Sequence, residues 1–302
     1  MGTPAFAVPS LSALAKSENV TLVVTNPDRP SGRGQALSPP PVSVEAQRLG
    51  LPVFQPEKAK HPDSVARIAA ENPDLIVVVA YGHILPKSIL DIPAHGCINV
   101  HASLLPKYRG AAPINWAVAR GETVTGVTIM KMDVGMDTGP MLHVREMPIA
   151  DEDTARTLFD KLSLLGSEAL AETLRRLHEG TLTETPQDNV LASYAPMLKK
   201  EHGRIDWSRP ADDVRNLIRG MTPWPSACTF HAGKVLKILS ASVREERGEP
   251  GEILDIGRDG IVVACGEGAL ALGRVQPEGG REMSSRDYAQ GRRVMKGERL
   301  SR

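Results

Sequence analysis

The chain has 302 residues, 41% hydrophobic and 24% charged, with 36 basic and 36 acidic side chains and a net charge of zero. That length fits two domains, and that balance excludes a globally basic nucleic-acid binder while leaving room for a local basic patch. Three cysteines far apart, Cys97, Cys228 and Cys265, exclude a disulfide framework and a Cys-x-x-Cys site. No apolar run approaches the ~20 residues that span a bilayer, and no basic and then apolar leader opens the chain, so the expectation is a cytoplasmic protein.

In chain order, residues 19–25 read as a short buried strand. Residues 26–41 hold Pro27, Pro30, Gly32, Gly34 and three further prolines, which predicts a long exposed loop without helix or strand, carrying Arg29 and Arg33. Residues 42–49 predict a helix stopped by Gly50, 51–54 a short strand and 64–71 a helix. The continuous apolar run 74–80 predicts a parallel strand covered on both faces, ended by Tyr81-Gly82. Residues 97–101 alternate: Ile98 and Val100 point one way, Asn99 and His101 the other. A further strand is predicted over 125–132, ending in a loop with Asp133, Gly135, Asp137 and Gly139. Leucines at spacings of three and four predict a long helix over 151–180.

Alternating strands and helices indicate an α/β domain with a mostly parallel sheet, whose ligand site lies beyond the carboxyl ends of the strands. A connection is expected over 181–200. From 201 to 302 the texture changes to one helix (212–219) and five or so short strands split by glycine, which suggests a small β-barrel. Residues 274–302 hold eight basic and four acidic side chains. They read either as a patch for phosphates or as a solubilising tail.

Asn99, His101 and Asp137 all fall at or just past predicted strand ends. An asparagine amide can donate to a developing oxyanion, a histidine can move a proton near neutral pH, and an aspartate can orient and hold the charged imidazole. That set suits acyl transfer without a covalent intermediate. Two rival readings are weaker. Ser103 beside His101 lacks the Gly-x-Ser-x-Gly elbow of a serine hydrolase, and His83, His95 and His101 lack zinc-ligand spacing. No Gly-x-Gly-x-x-Gly or phosphate-binding Gly-x-x-x-x-Gly-Lys loop is present.

The run from Asn99 and His101 through Ser103-Leu104-Leu105-Pro106, with Arg109 to Ile114 and Gly126 to Gly139, closely resembles the methionyl-tRNA formyltransferase family. The resemblance continues upstream at Gly2 to Pro4, Phe6 to Pro9, Pro27 to Pro30, Gly32 to Gly34 and Val79 to Gly82, and downstream at Arg204 to Trp207 and Pro223 to Pro225. It implies a Rossmann-like formyltransferase domain over 1–180 and an OB-fold-like tRNA-binding barrel over 201–302. It also implies transfer of the formyl group of 10-formyltetrahydrofolate to methionyl initiator tRNA, by a monomer without a metal. Asn99, His101 and Asp137 would be catalytic, with Asp133 the nearest rival to Asp137. Ser103, Leu104, Leu105 and Pro106 would line the folate site, Tyr81-Gly82 would shape its pterin end, and Arg33 would enter the acceptor end of the tRNA. Members of that family carry an apolar strand ahead of the Gly2-Thr3-Pro4 match, so the natural polypeptide is expected to start upstream. An intact mass matching residues 1–302 would refute that. The competing readings are a formyl enzyme acting on a sugar nucleotide or purine precursor, and a nonenzymatic RNA-binding protein.

Overall fold

The computed structural model describes residues 1–31, 36–258 and 260–301. The chain divides into two compact units. The first is Met1–Pro113, Thr125–Met147 and Phe159–Ala195; the second is Ile114–Val124, Pro148–Leu158 and Pro196–Arg302.

The first unit alternates helices and strands as the apolar pattern requires. Its elements run α1 (Val8–Ser17), β1 (Val23–Val24), β2 (Arg29–Ser31), β3 (Ala36–Ser38), α2 (Pro41–Arg48), β4 (Val53–Phe54), α3 (Pro62–Ala69), β5 (Ile76–Val78), α4 (Lys87–Leu90) and β6 (Cys97–His101). After α5 (Pro113–Ala119), which belongs to the second unit from Ile114 on, come β7 (Val124–Lys131), β8 (Met141–Pro148) and the long α6 (Ala155–His178), whose residues 155–158 also belong to the second unit. β5, β6, β7 and β8 form one sheet in that order, and β1 pairs with β4. The β1–β4 and β5–β6 pairs are parallel, whereas β6–β7 is antiparallel, so β6 has one neighbour of each sense. Val24, Ile68, Ile76, Val78, Leu85 and Ile89 make the apolar core beside β5. A cavity of about 710 Å³ is lined by Val23 and Val24 of β1, Ile76 and Val77 of β5, and Leu11 and Leu177; none of Asn99, His101 and Asp137 lines it.

Two local differences from the sequence pattern have physical causes. The stretch expected to hold no strand contains the hairpin β2–β3, in which Pro30 faces Leu37. A proline lacks an N–H, and a two-stranded ribbon, all edge, tolerates that. The long helix starts at Ala155 rather than at 151. The Asp153 carboxylate instead accepts from Ala150 N at 3.0 Å and from the Thr157 hydroxyl at 2.7 Å. Thr154 and Thr157 exchange backbone-to-hydroxyl bonds of 3.0 and 3.3 Å, closing the first turn as a cap. Further along, Gly166 meets β6 so closely that a Cβ there would sit 2.8 Å from Val100 Cγ1. This is how α6 covers the Ile98 and Val100 face and leaves Asn99 and His101 to the other.

In the second unit, α7 (Ala211–Gly220) precedes β9 (Ala227–His231), β10 (Lys234–Ile238), β11 (Ala241–Arg244), β12 (Ile253–Gly257), β13 (Gly260–Ala264), β14 (Ala269–Leu272), β15 (Arg274–Pro277), β16 (Met283–Ser284) and α8 (Ser285–Arg292). The strands pair as two four-stranded sheets, β16-β15-β10-β9 and β11-β14-β13-β12, antiparallel throughout. Among the described residues these pairings do not close into a ring. The chain passes between the sheets at one corner, where Gly273 N donates to Ser240 O at 2.9 Å and Arg274 N to Ser240 Oγ at 2.9 Å. Ile218, Leu236, Ile238, Ile261, Val263 and Leu272, all fully buried or nearly so, fill the core. The basic stretch after 274 is not a free tail, since it supplies β15, β16 and a helix capped by Ser284, whose hydroxyl accepts from Asp287 N at 3.0 Å.

Candidate active site

β6 positions two of the three expected catalytic side chains by strand periodicity alone. Asn99 faces Val78 of β5 and Met130 of β7 in register, and His101 faces Thr128. Asn99 is half-buried and His101 is 5% exposed. The imidazole Nε2 lies 3.0 Å from the carbonyl oxygen of Tyr108. A carbonyl only accepts, so Nε2 carries a hydrogen and the other ring nitrogen is the one left for chemistry. That nitrogen, Nδ1, faces Asp137 Oδ2 at 3.7 Å. Asp137 arrives from the loop between β7 and β8, with its own backbone in the left-handed region (φ 55°). Its Oδ2 also accepts from Gly110 N at 2.8 Å.

The rival carboxylate is occupied differently. Asp133 is exposed, and its Oδ1 accepts from Gly135 N at 2.9 Å and from the Thr138 hydroxyl at 2.7 Å, so it builds the turn that presents Asp137. The expected folate-site residues follow β6 directly. Ser103 and Leu105 are buried; Leu104 and Pro106 are half-buried. The Ser103 hydroxyl donates to Lys107 O at 2.7 Å. Thr128, fully buried on β7, donates to Ser103 O at 2.7 Å and accepts from Leu105 N at 3.1 Å, which fixes the loop against the sheet. Tyr81 is 2% exposed, its hydroxyl has no hydrogen-bond partner among the described residues, and burial raises its pKa. Arg33 lies outside the described residues. Burial pushes the Cys97 thiol, at the start of β6, up to about 12, so it stays protonated and is no nucleophile.

The sequence pattern gave no individual role to several residues around this group. Arg109 is 3% exposed, and its guanidinium donates to Gln187 Oε1 and Asn189 Oδ1 at 2.7 to 3.1 Å. Gln187 Nε2 donates to the carbonyls of Asp137 (2.9 Å) and Gly139 (2.7 Å). Ser193 Oγ accepts from Tyr108 N at 2.9 Å. Gln187, Asn189 and Ser193 fall in the expected connection, where no apolar periodicity marks a structural element.

Chemically, a half-buried amide, an imidazole with one nitrogen committed and the other facing a carboxylate, and an apolar loop at a strand end suit attack at a carbonyl carbon. The Asp137 carboxylate lies opposite one ring nitrogen, and an oxyanion formed there would find a donor at Asn99.

Comparison with known proteins agrees with this chemistry. The formyl transferase family model matches residues 1–174, and the model of the formyl transferase C-terminal domain matches 197–293. The chain is 55% identical over 301 residues to a methionyl-tRNA formyltransferase of Geobacter metallireducens, covering 99% of this chain and 97% of that one. It is 49% identical over 305 residues to the enzyme so named from Sorangium cellulosum, covering 100% and 98%. Among solved structures, an N-formyltransferase from Helicobacter canadensis, in complex with folinic acid and dTDP-3-aminofucose, superposes with a TM-score of 0.67 at 20% identity, over 90% of this chain and 97% of that one. At that identity the likeness carries the fold alone. Identity of about one residue in two over almost the whole of both chains carries more, and it makes this chain a member of the methionyl-tRNA formyltransferase family.

Proposed function

We propose that the chain transfers the formyl group of 10-formyltetrahydrofolate to the amino group of methionyl initiator tRNA, giving the formylated initiator for translation. The meeting of His101 and Asp137 beside Asn99 at the carboxyl end of β6 carries this reading, and the names of the half-identical relatives support it.

The geometry supports the following roles. Asn99 donates its amide hydrogen to the formyl oxygen as that oxygen gains negative charge. His101 holds a proton at Nδ1, where the Asp137 carboxylate stabilises it, and adds positive charge beside the oxyanion. Asp137 receives the proton released when the amine attacks, directly or through water, and the proton goes on to the departing folate nitrogen. The new C–N bond forms first, giving the tetrahedral oxyanion; its collapse breaks the old C–N bond, and tetrahydrofolate leaves. Leu104 and Pro106, half-buried in the loop that follows β6, offer the apolar surface a pteridine needs, while Ser103 and Leu105 hold the loop in place.

The catalytic part is assigned to residues 1–180 and tRNA recognition to 201–302, whose two antiparallel sheets we read as an OB-like module. Residues 181–200 join them, Arg33 reaches the acceptor end of the tRNA, and the chain acts as a monomer. The test offers 10-formyltetrahydrofolate with methionyl initiator tRNA and free methionine side by side. Formylation confined to the charged tRNA is expected. Equal transfer to free methionine, or transfer only to an amino sugar nucleotide, would sink the reading.

A further inference from the structure

The segment 185–195 is bonded across both loops that meet at the candidate site. At one end, Thr185 and Met141 exchange backbone hydrogen bonds of 2.8 Å. At the other, Ser193 O accepts from Arg109 N (2.8 Å), Ala195 N donates to Arg109 O (2.8 Å), and Ala195 O accepts from Ala111 N (2.9 Å). Between them stands Gln187, with both ends of its amide engaged. Nε2 donates to Asp137 O and Gly139 O, and Oε1 accepts from Arg109 Nε and Nη2. Carbonyls cannot donate and a guanidinium cannot accept, so the partners fix which way the amide faces.

This arrangement coincides with backbone strain. Tyr108 and Asp137 are non-glycine residues at φ 62° and 55°, and Gly110 sits at φ 113°. Such conformations persist when the surroundings over-determine them. Both strained loops are held by the one segment: Tyr108 N on Ser193 Oγ, and the carbonyls at 137 and 139 on Gln187. Burying Arg109 is costly unless its hydrogens are taken up, and the amide oxygens of Gln187 and Asn189 do that.

We propose that Gln187 is a positioning residue for formyl transfer. It sets the backbone at 137–139 so that the Asp137 carboxylate meets His101, and Arg109 holds its amide in the donating orientation. The role rests on Asn99, His101 and Asp137 being the catalytic group. It gives the segment 185–195 a function beyond joining two parts of the chain.

The test is steady-state kinetics on the full chain carrying Gln187→Glu, Asp137→Asn, and both. Glutamate keeps the size and still accepts from Arg109, but it cannot donate to the two carbonyls. Gln187→Glu should lower kcat about 10- to 100-fold, the effect of a displacement of about an ångström at a reacting group, with KM for both substrates within about 3-fold. The double variant should lose little more than Asp137→Asn alone, because one residue acts through the other. Gln187→Met, of similar length and without polar atoms, repeats the comparison should the glutamate variant not fold. Wild-type kcat in the Gln187 variants, a loss carried by KM, or additive losses in the double variant would overturn the proposal. Wild-type turnover in Asp137→Asn would instead overturn the catalytic reading, and this role with it.

Discussion

Asp137 has two close neighbours on which its proposed role rests: Gly110 N at 2.8 Å holds the carboxylate, and His101 Nδ1 lies 3.7 Å from it. Asp137→Asn keeps the size and an oxygen for Gly110 N but removes the charge. It should lower kcat by about 10²-fold or more, in the range of general acid–base contributions, and leave KM for both substrates nearly unchanged. A raised KM with unchanged kcat, in the same assay, would make Asp137 a binding residue. Gly110 is where glycine is required. Its φ is 113°, and a Cβ would lie 2.9 Å from Ala195 O. Gly110→Ala must therefore shift the loop or its backbone angle, turning Gly110 N away from Asp137. The expected loss in kcat is about 10-fold, with a stability cost of about 1–3 kcal/mol read from urea unfolding.

Thr128 shows how a strand sets a loop. Its hydroxyl is the shared partner of Ser103 O and Leu105 N, and the residue has no exposed surface. Thr128→Val keeps the shape and leaves both backbone groups without that partner, at about 1–3 kcal/mol for each buried group unmet. Urea unfolding should report that loss, and KM for the folate donor should rise more than kcat falls, because the loosened loop is the expected folate wall. Strand β6 itself was legible in the sequence because its polar and apolar residues alternate with a period of two, which fits a strand and not a helix. Helix α6 was legible by its leucine spacing, apart from a first turn that Asp153 and Thr157 claim for the cap. The contacts of 185–195 were not legible, because isolated bridges and side-chain amides leave no periodic trace. Helix α8 was hidden by its polar composition; it buries only Ser285, Tyr288 and Ala289. That helix is tied to β9 through His231, whose Nδ1 lies 2.8 Å from the Tyr288 hydroxyl and whose Nε2 lies 2.8 Å from Glu298 Oε2. The hydrogen bond to His231 depresses the Glu298 pKa, so its stabilising effect is full above the ordinary carboxylate value and is lost as pH falls through the depressed one. Glu298 is partly exposed, which limits the effect to about 1 kcal/mol or less. Melting temperatures of wild type and Glu298→Gln should differ by a constant amount above about pH 5 and converge below the ordinary carboxylate range. A gap that widens on acidification would refute this assignment.

With 36 basic and 36 acidic side chains the whole molecule carries no net attraction for a polyanion, so tRNA affinity must come from local clusters. One such cluster is at the end of α8, where Arg292, Arg293 and Lys296 are all exposed within five positions. Arg274 and Arg299 share the basic stretch, but each has an acid opposite, Glu282 at 2.8 Å and Glu249 at 3.6 Å, and they have less charge to offer a phosphate. Counterion release makes the contribution of each phosphate contact measurable as a slope against salt. The logarithm of kcat/KM for methionyl initiator tRNA should fall linearly with the logarithm of salt concentration, the change lying in KM. Replacing Arg292 and Arg293 together with glutamine should reduce that slope by up to ~2, one unit for each phosphate contact removed, and weaken initiator and other tRNAs alike. Arg33→Ala tests the other expected contact in the same assay, and its loss should fall more heavily on the initiator than on other tRNAs. An unchanged slope in the Arg292 and Arg293 double variant would place the tRNA path elsewhere on the molecule, and the remaining exposed cations of the second unit would then be tested by the same slope.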